Sequence, residues 1–348
     1  MRLKLLGIGL LLCPLLTFGQ DSLRKKKVKI LPVPTFGYEP ETRTKVGAVS
    51  LFALDFYQDG LTRTSNAKVE FNYTWRKQSV FEIEWDYFFR EEAWFTKGRI
   101  HFSKYPDFFY GIGANSLERN ELLFESNRVI VDIGQFKNLG NQLFAGLGLR
   151  YLSYQRLGEI PEVPIYESLV NSETLGLKGA IFADTRNNLL NSTEGKYYLL
   201  ELGLNWGDRQ YTQIKTDARR YFSWKQNTIA LRLYNAFTIN TPTFYDYAIM
   251  GGDDFVRGYF FGRFRDNNLS TLQAEYRTHL VWKIGGAVFG GLSSLYPDLD
   301  SFTDRFRPNY GAGIRFLVDK EGNTNLRLDY ALGTTDQSGF YISFGESF

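Results

Sequence analysis

The chain has little of what soluble chemistry runs on: one cysteine, two histidines and two methionines in 348 residues. The single cysteine, Cys13, lies in a stretch that reads as a secretory signal over residues 1–19. Arg2 and Lys4 start it, an apolar run over 5–18 follows, and small residues close it at Gly19. Cleavage there leaves a chain without cysteine, which excludes disulfides and thiol catalysis. No later apolar run is long enough for a membrane-spanning helix. The net charge of +3 is small and the basic residues are scattered, so nucleic acid is not an expected partner. Aromatic residues are what the chain has in quantity: 17%, with Tyr 22 and Phe 30.

From residue 43 onward the chain alternates with period two. Val69, Phe71, Tyr73 and Trp75 share one face against Lys68, Glu70, Asn72 and Thr74. Phe81, Ile83, Trp85, Tyr87 and Phe89 oppose Glu82, Glu84, Asp86 and Arg90. Leu272, Ala274, Tyr276, Leu280 and Trp282 oppose Gln273, Glu275, Arg277 and His279. A soluble sandwich would bury the apolar face, whereas a membrane barrel turns it to lipid. Three features favour the barrel: strands of bilayer-crossing length, aromatics at strand ends, and tight turns alternating with long loops.

The predicted fold is all-β, a transmembrane antiparallel barrel of about sixteen strands. The expected strands run 43–57, 66–76, 79–90, 95–103, 107–116, 127–136, 142–154, 172–184, 196–206, 211–223, 226–238, 269–282, 284–296, 308–318, 324–334 and 338–348. Residues 20–42 then form a short periplasmic lead-in, and 43–348 the barrel. On the last strand Phe340, Ile342, Phe344 and Phe348 share a face.

The longest connection, 239–268, carries Gly-Gly-Asp-Asp-Phe-Val-Arg-Gly-Tyr-Phe-Phe-Gly-Arg-Phe-Arg at 251–265. A loop of that length is functional or disordered, and this one is too aromatic for disorder. Its Val256-Arg257-Gly258-Tyr259 resembles the signature loop of the BamA/TamA superfamily of outer-membrane assembly and transport barrels. Residues 34–47, Asp184-Thr185-Arg186 followed by Gly195, and Ala274-Glu275-Tyr276-Arg277 resemble other pieces of that family in order along the chain. The resemblance implies that the loop folds into the barrel and that Arg257 pairs with an acidic wall residue, Glu275 on these faces. Arg277 and His279 are expected beside it as a lumen network, while Arg263 and Arg265 read as solvated. It also implies a seam between the first and last strands, with Gly345 and Phe348 at its end.

The chain departs from the family in two respects that bear on function. Residues 289–293, Phe-Gly-Gly-Leu-Ser, lack the acid the family carries there, which removes one expected partner of Arg257. The lead-in has no room for the periplasmic POTRA domains of BamA-like proteins. The implied role is assembly, insertion or translocation of protein or lipid at the bacterial outer membrane. The alternative is a passive channel or accessory barrel. Expected partners are outer-membrane lipids, and client barrels or a separate periplasmic subunit. No catalytic constellation, metal site or cofactor is predicted. His101 has no serine or aspartate arranged around it, residues 291–294 lack a nucleophile elbow, and 251–254 lack calcium-ligand spacing.

Overall fold

A computed structural model describes residues 28–39, 43–75, 77–253, 255–320, 323–334 and 337–348. The signal at 1–19 and the start of the lead-in lie outside them. The first strands are Val28–Glu39 (β1), Arg43–Leu54 (β2), Ser65–Thr74 (β3), Ser79–Phe88 (β4) and Trp94–Phe109 (β5). Next come Leu122–Asn138 (β6), Leu143–Leu157 (β7), Ser172–Asp184 (β8), Gly195–Gly207 (β9), Tyr211–Trp224 (β10) and Asn227–Ile239 (β11). After a long loop follow Asn268–Val281 (β12), Ile284–Tyr296 (β13), Phe306–Asp319 (β14), Thr324–Leu332 (β15) and Ser338–Phe344 (β16). All sixteen lie in one sheet in chain order, each pair antiparallel, with β1 and β16 as its ends.

Two differences from the predicted strands cancel in the count. Residues 28–39, taken as lead-in, form β1 and pair with β2 from Val28↔Leu54 to Glu39↔Arg43. The separate strands expected at 95–103 and 107–116 are one strand, β5. Proline misled both readings. Pro32 and Pro34 lie in a terminal strand, where a missing N–H breaks no ladder on the free side. Pro106 lies beyond the last β4 pair, Ser79↔Lys104. Its carbonyl accepts from Gln78 Nε2 at 3.4 Å, so its ring nitrogen also faces that unpaired edge.

The sheet is inside out relative to a soluble protein. Arg327, Asp329 and Glu275 are 1%, 0% and 1% exposed, while Leu149 is 68% exposed. Leu200, Leu202, Leu204, Val288 and Ile314 are likewise exposed. An apolar band this wide on a water-facing surface would aggregate; against hydrocarbon it is the stable arrangement. The polar face lines a lumen crossed by contacts such as that of Arg150 on β7 with Asp246 of the long loop. Phe88, Phe95, Phe144 and Phe182 pack together at the short-turn end, and Phe109, Phe124, Tyr154 and Phe244 at the long-loop end.

Leu149→Arg tests which solvent the outer face meets. In a bilayer the substitution is expected to cost about 2–4 kcal/mol near the midplane, read from the urea midpoint in liposomes. A change within experimental error would sink the lipid-facing assignment.

Candidate functional site

Residues 240–267 run from β11 to β12 and fold as a hairpin into the lumen. Its stem pairs Ala248–Met250 with Phe264–Asp266. Apolar side chains drive the loop inward: Met250, Val256, Tyr259 and Phe264 cluster with Leu269 of β12 and Leu295 of β13. The tip then places Arg257 at 2% exposure in the ionic centre of the barrel.

Arg257 Nη2 donates to Glu275 Oε2 of β12 at 2.5 Å, and Nη1 donates to Asp329 Oδ2 of β15. Its guanidinium lies 3.4 Å from the centroid of the Phe289 ring on β13. Asn309 Nδ2 holds the Arg257 carbonyl at 2.8 Å. Two carboxylates and an aromatic face satisfy a group that would otherwise be costly to bury. The absent acid in 289–293 therefore does not leave Arg257 short of a partner. Asp329, two strands further on, supplies the second carboxylate, and Phe289 fills the floor.

The centre extends through further arginines. Arg277 Nε donates to Glu275 Oε1 at 2.6 Å, and Arg315 Nη1 to Asp329 Oδ1 at 2.5 Å. Arg327 Nη1 reaches Asp329 Oδ2 at 3.2 Å. Beside Arg257, the Gly258 N–H donates to Tyr341 Oη of β16 at 2.9 Å. Tyr259 Oη donates to the Pro308 carbonyl at 2.7 Å. The motif thus grips β14, β15 and β16, the strands that lead to one end of the sheet.

The end of β16 differs from the reading of 338–348 as one strand. The strand stops at Phe344, and Gly345, at φ +79, bends the chain inward. Gly345 N–H then donates to Asn325 O at 2.8 Å and Glu346 N–H to Leu190 O at 2.7 Å. Glu346 Oε2 accepts from Arg315 Nε at 2.7 Å. Phe348 does not join the outer face; it is buried with Tyr221 and Ala230, and its carbonyl accepts from Arg277 Nη2 at 2.9 Å. Inward charges on Arg277 and Arg315 outweigh the strand's alternation over these four residues.

Other predicted positions also move. His279 is exposed rather than part of the network, because the ladder is irregular between His279 and Val281 and its Nε2 lies 2.9 Å from Trp282 O. Arg263 and Arg265 are buried, not solvated. Arg263 donates to Ser116 Oγ and O at 3.0 Å each. His101 does have a serine and an acid around it: Nε2 is 3.0 Å from Ser103 Oγ and Nδ1 is 2.8 Å from Glu82 Oε2. Arg99 also occupies that Glu82 oxygen at 2.5 Å and Lys68 takes the other at 3.2 Å, so the group reads as compensated wall charge. Residues 101 and 103 share a strand face, and that spacing was the available signal.

A second fastening of the loop was not anticipated. Asp246 accepts from Arg150 Nη1 and Nη2 of β7 at 2.9 and 2.5 Å, and from Tyr211 Oη of β10. Burial works against its charge, but Arg150 and these hydrogen bonds hold the carboxyl below the usual aspartate range. Among the described residues, no group of three or more His, Cys, Asp or Glu could hold a metal ion.

An Omp85 superfamily domain model matches residues 50–348. Among solved structures, the fold is similar to BamA from Haemophilus ducreyi lacking POTRA domains 1-3, with a TM-score of 0.59 and 14% identity, over 92% of this chain and 69% of that one. It is similar also to CdiB from Acinetobacter baumannii, with a TM-score of 0.61 and 12% identity, over 92% of this chain and 59% of that one. At such identities these likenesses speak for the fold alone. No curated protein matches the chain.

Proposed function

The chain belongs to the Omp85 superfamily, and from that premise we propose that it acts in the assembly, insertion or translocation of protein at the bacterial outer membrane. The observation that carries this reading is the inequality of the end strands: β1 has 12 residues and β16 has 7. Even if the two strands pair, a shorter partner cannot satisfy every N–H and C=O along the longer edge. Such an edge is a template for an incoming strand. Gly345 deepens the inequality by drawing residues 345–348 off the strand line.

Arg257 and Gly258 would set how firmly that edge is held. Gly258 is bonded to Tyr341 on β16, and Arg257 to Asp329 on its neighbour β15. A loop seated in the lumen keeps the last strands in one arrangement; a displaced loop frees them. Glu275, Arg277 and Arg315 would act as positioning residues for the loop, with no chemistry of their own.

Depleting the protein from its host is expected to lower the amounts of other outer-membrane barrels before viability falls. Unchanged barrel levels with altered permeability would instead support the passive channel. The lumen-crossing loop favours assembly over free conduction. Co-purification of a periplasmic subunit would identify what works beside the barrel.

A further inference from the structure

Where the loop returns to the sheet, charge and hydrogen bonds do not balance. Arg265, on the returning arm, is 0% exposed and Arg128 of β6 is 5% exposed. Both turn to one carboxylate: Arg265 Nη2 is 3.3 Å and Arg128 Nη2 is 3.8 Å from Asp107 Oδ2 of β5. The other Asp107 oxygen already accepts from the Phe108 N–H at 2.9 Å. Arginine keeps its proton even in a buried site, so the pair carries one positive charge more than Asp107 can offset.

The donors are in excess as well. Arg128 gives Nε to Ser126 Oγ at 3.2 Å and Nη1 to Tyr245 Oη at 2.6 Å. Its Nη2 has no hydrogen-bond partner among the described residues, and neither do Nε and Nη1 of Arg265 or the hydroxyl of Tyr154. Tyr154 is 1% exposed and sits opposite Arg128 in the β6–β7 register. Its ring stacks on Tyr245 with centroids 6.0 Å apart. Phe244 lies 4.7 Å beneath the Arg265 guanidinium. Aromatic faces ease the burial of cations but supply neither full charge nor acceptor atoms. Buried donors left without acceptors lose their hydration with nothing gained.

We propose that Arg128, Arg265 and Tyr154 bind a small inorganic anion of the halide class. A single-atom anion accepts N–H and O–H donors from any direction, and it brings the missing charge. The closely packed rings favour it over a polyatomic oxyanion. Because Arg265 belongs to the loop while Arg128 and Tyr154 belong to the wall, the anion fastens the loop's root separately from Arg257.

The test uses the purified full-length barrel in detergent. Crystals grown in sodium bromide are expected to show an anomalous peak between Arg265 and Arg128. The thermal midpoint is expected to rise with the logarithm of chloride concentration above the dissociation constant, measured against gluconate at constant ionic strength. Asp107→Asn removes the competing carboxylate and shifts that titration to several-fold lower chloride; Arg265→Met abolishes it. Should Arg265→Met fail to fold, the bromide peak and Asp107→Asn decide the matter. Absence of the peak, or the same chloride response in wild type and variants, overturns the proposal.

Discussion

Replacing Arg257 with alanine is expected to lower the stability of the barrel by about 3–5 kcal/mol, the usual cost of stranding one side of a buried ion pair. Glu275 and Asp329 have essentially no exposed side-chain surface, so water cannot take over the solvation that Arg257 provides. Arg315, Arg277 and Arg327 stay within reach of the two acids, which places the loss nearer the lower figure. Arg257→Lys keeps the charge but cannot span Glu275 and Asp329 with a planar fork; it should fall between wild type and alanine. Urea unfolding followed by heat-modifiable electrophoretic mobility reads all three proteins. An unchanged midpoint in Arg257→Ala would mean that the lumen network holds without the loop.

Gly258→Val is expected to be the most damaging single exchange in the loop. Gly258 has φ +99, a conformation that a β-branched residue strongly resists. Its added Cβ would lie 2.7 Å from the Leu332 carbonyl group and 3.0 Å from the Gly333 nitrogen. Those contacts are backbone, so nothing nearby can rotate aside. The tip should leave its seat, the bond to Tyr341 should break, and protease should cut within 251–263. Gly60→Val is the control: φ is +71, yet no atom lies within 4 Å of the added Cβ. If both variants resist protease equally, the close fit of the loop against β15 is not what holds it.

Much of this architecture can be read from the sequence because a membrane barrel writes its two solvents onto alternate residues. Phe71, Phe81, Leu272 and Tyr276 look outward and could be read as one face without any structure. Proline was harder, since it marks a broken strand in one setting and a free edge in another. Pro32, Pro34 and Pro106 all belong to the second kind, and only the neighbouring strand's length reveals it. In the site, Glu275 was legible because the family motif supplied the loop and the strand face supplied the acid. Asp329 was not, because its nearness to Arg257 depends on how the sheet curls. Local alternation also gave the wrong place for Phe348, where four residues obey Arg277 and Arg315 instead of the strand.

The lumen contacts also bear on the order in which the molecule can form. Arg257 and Asp329 are 72 residues apart in the chain, Arg277 and Ser192 are 85, and Arg265 and Asp107 are 158. Hairpins such as β10–β11, joined across residues 225–226, close a short stretch of chain. Loop-closure entropy therefore favours hairpins early and the central stitches last. A refolding barrel should gain its strand signal first and protection of the 240–267 loop afterwards, as a separate slow phase. The inward loop is then a late clasp on a finished sheet, not a nucleus around which the sheet is built.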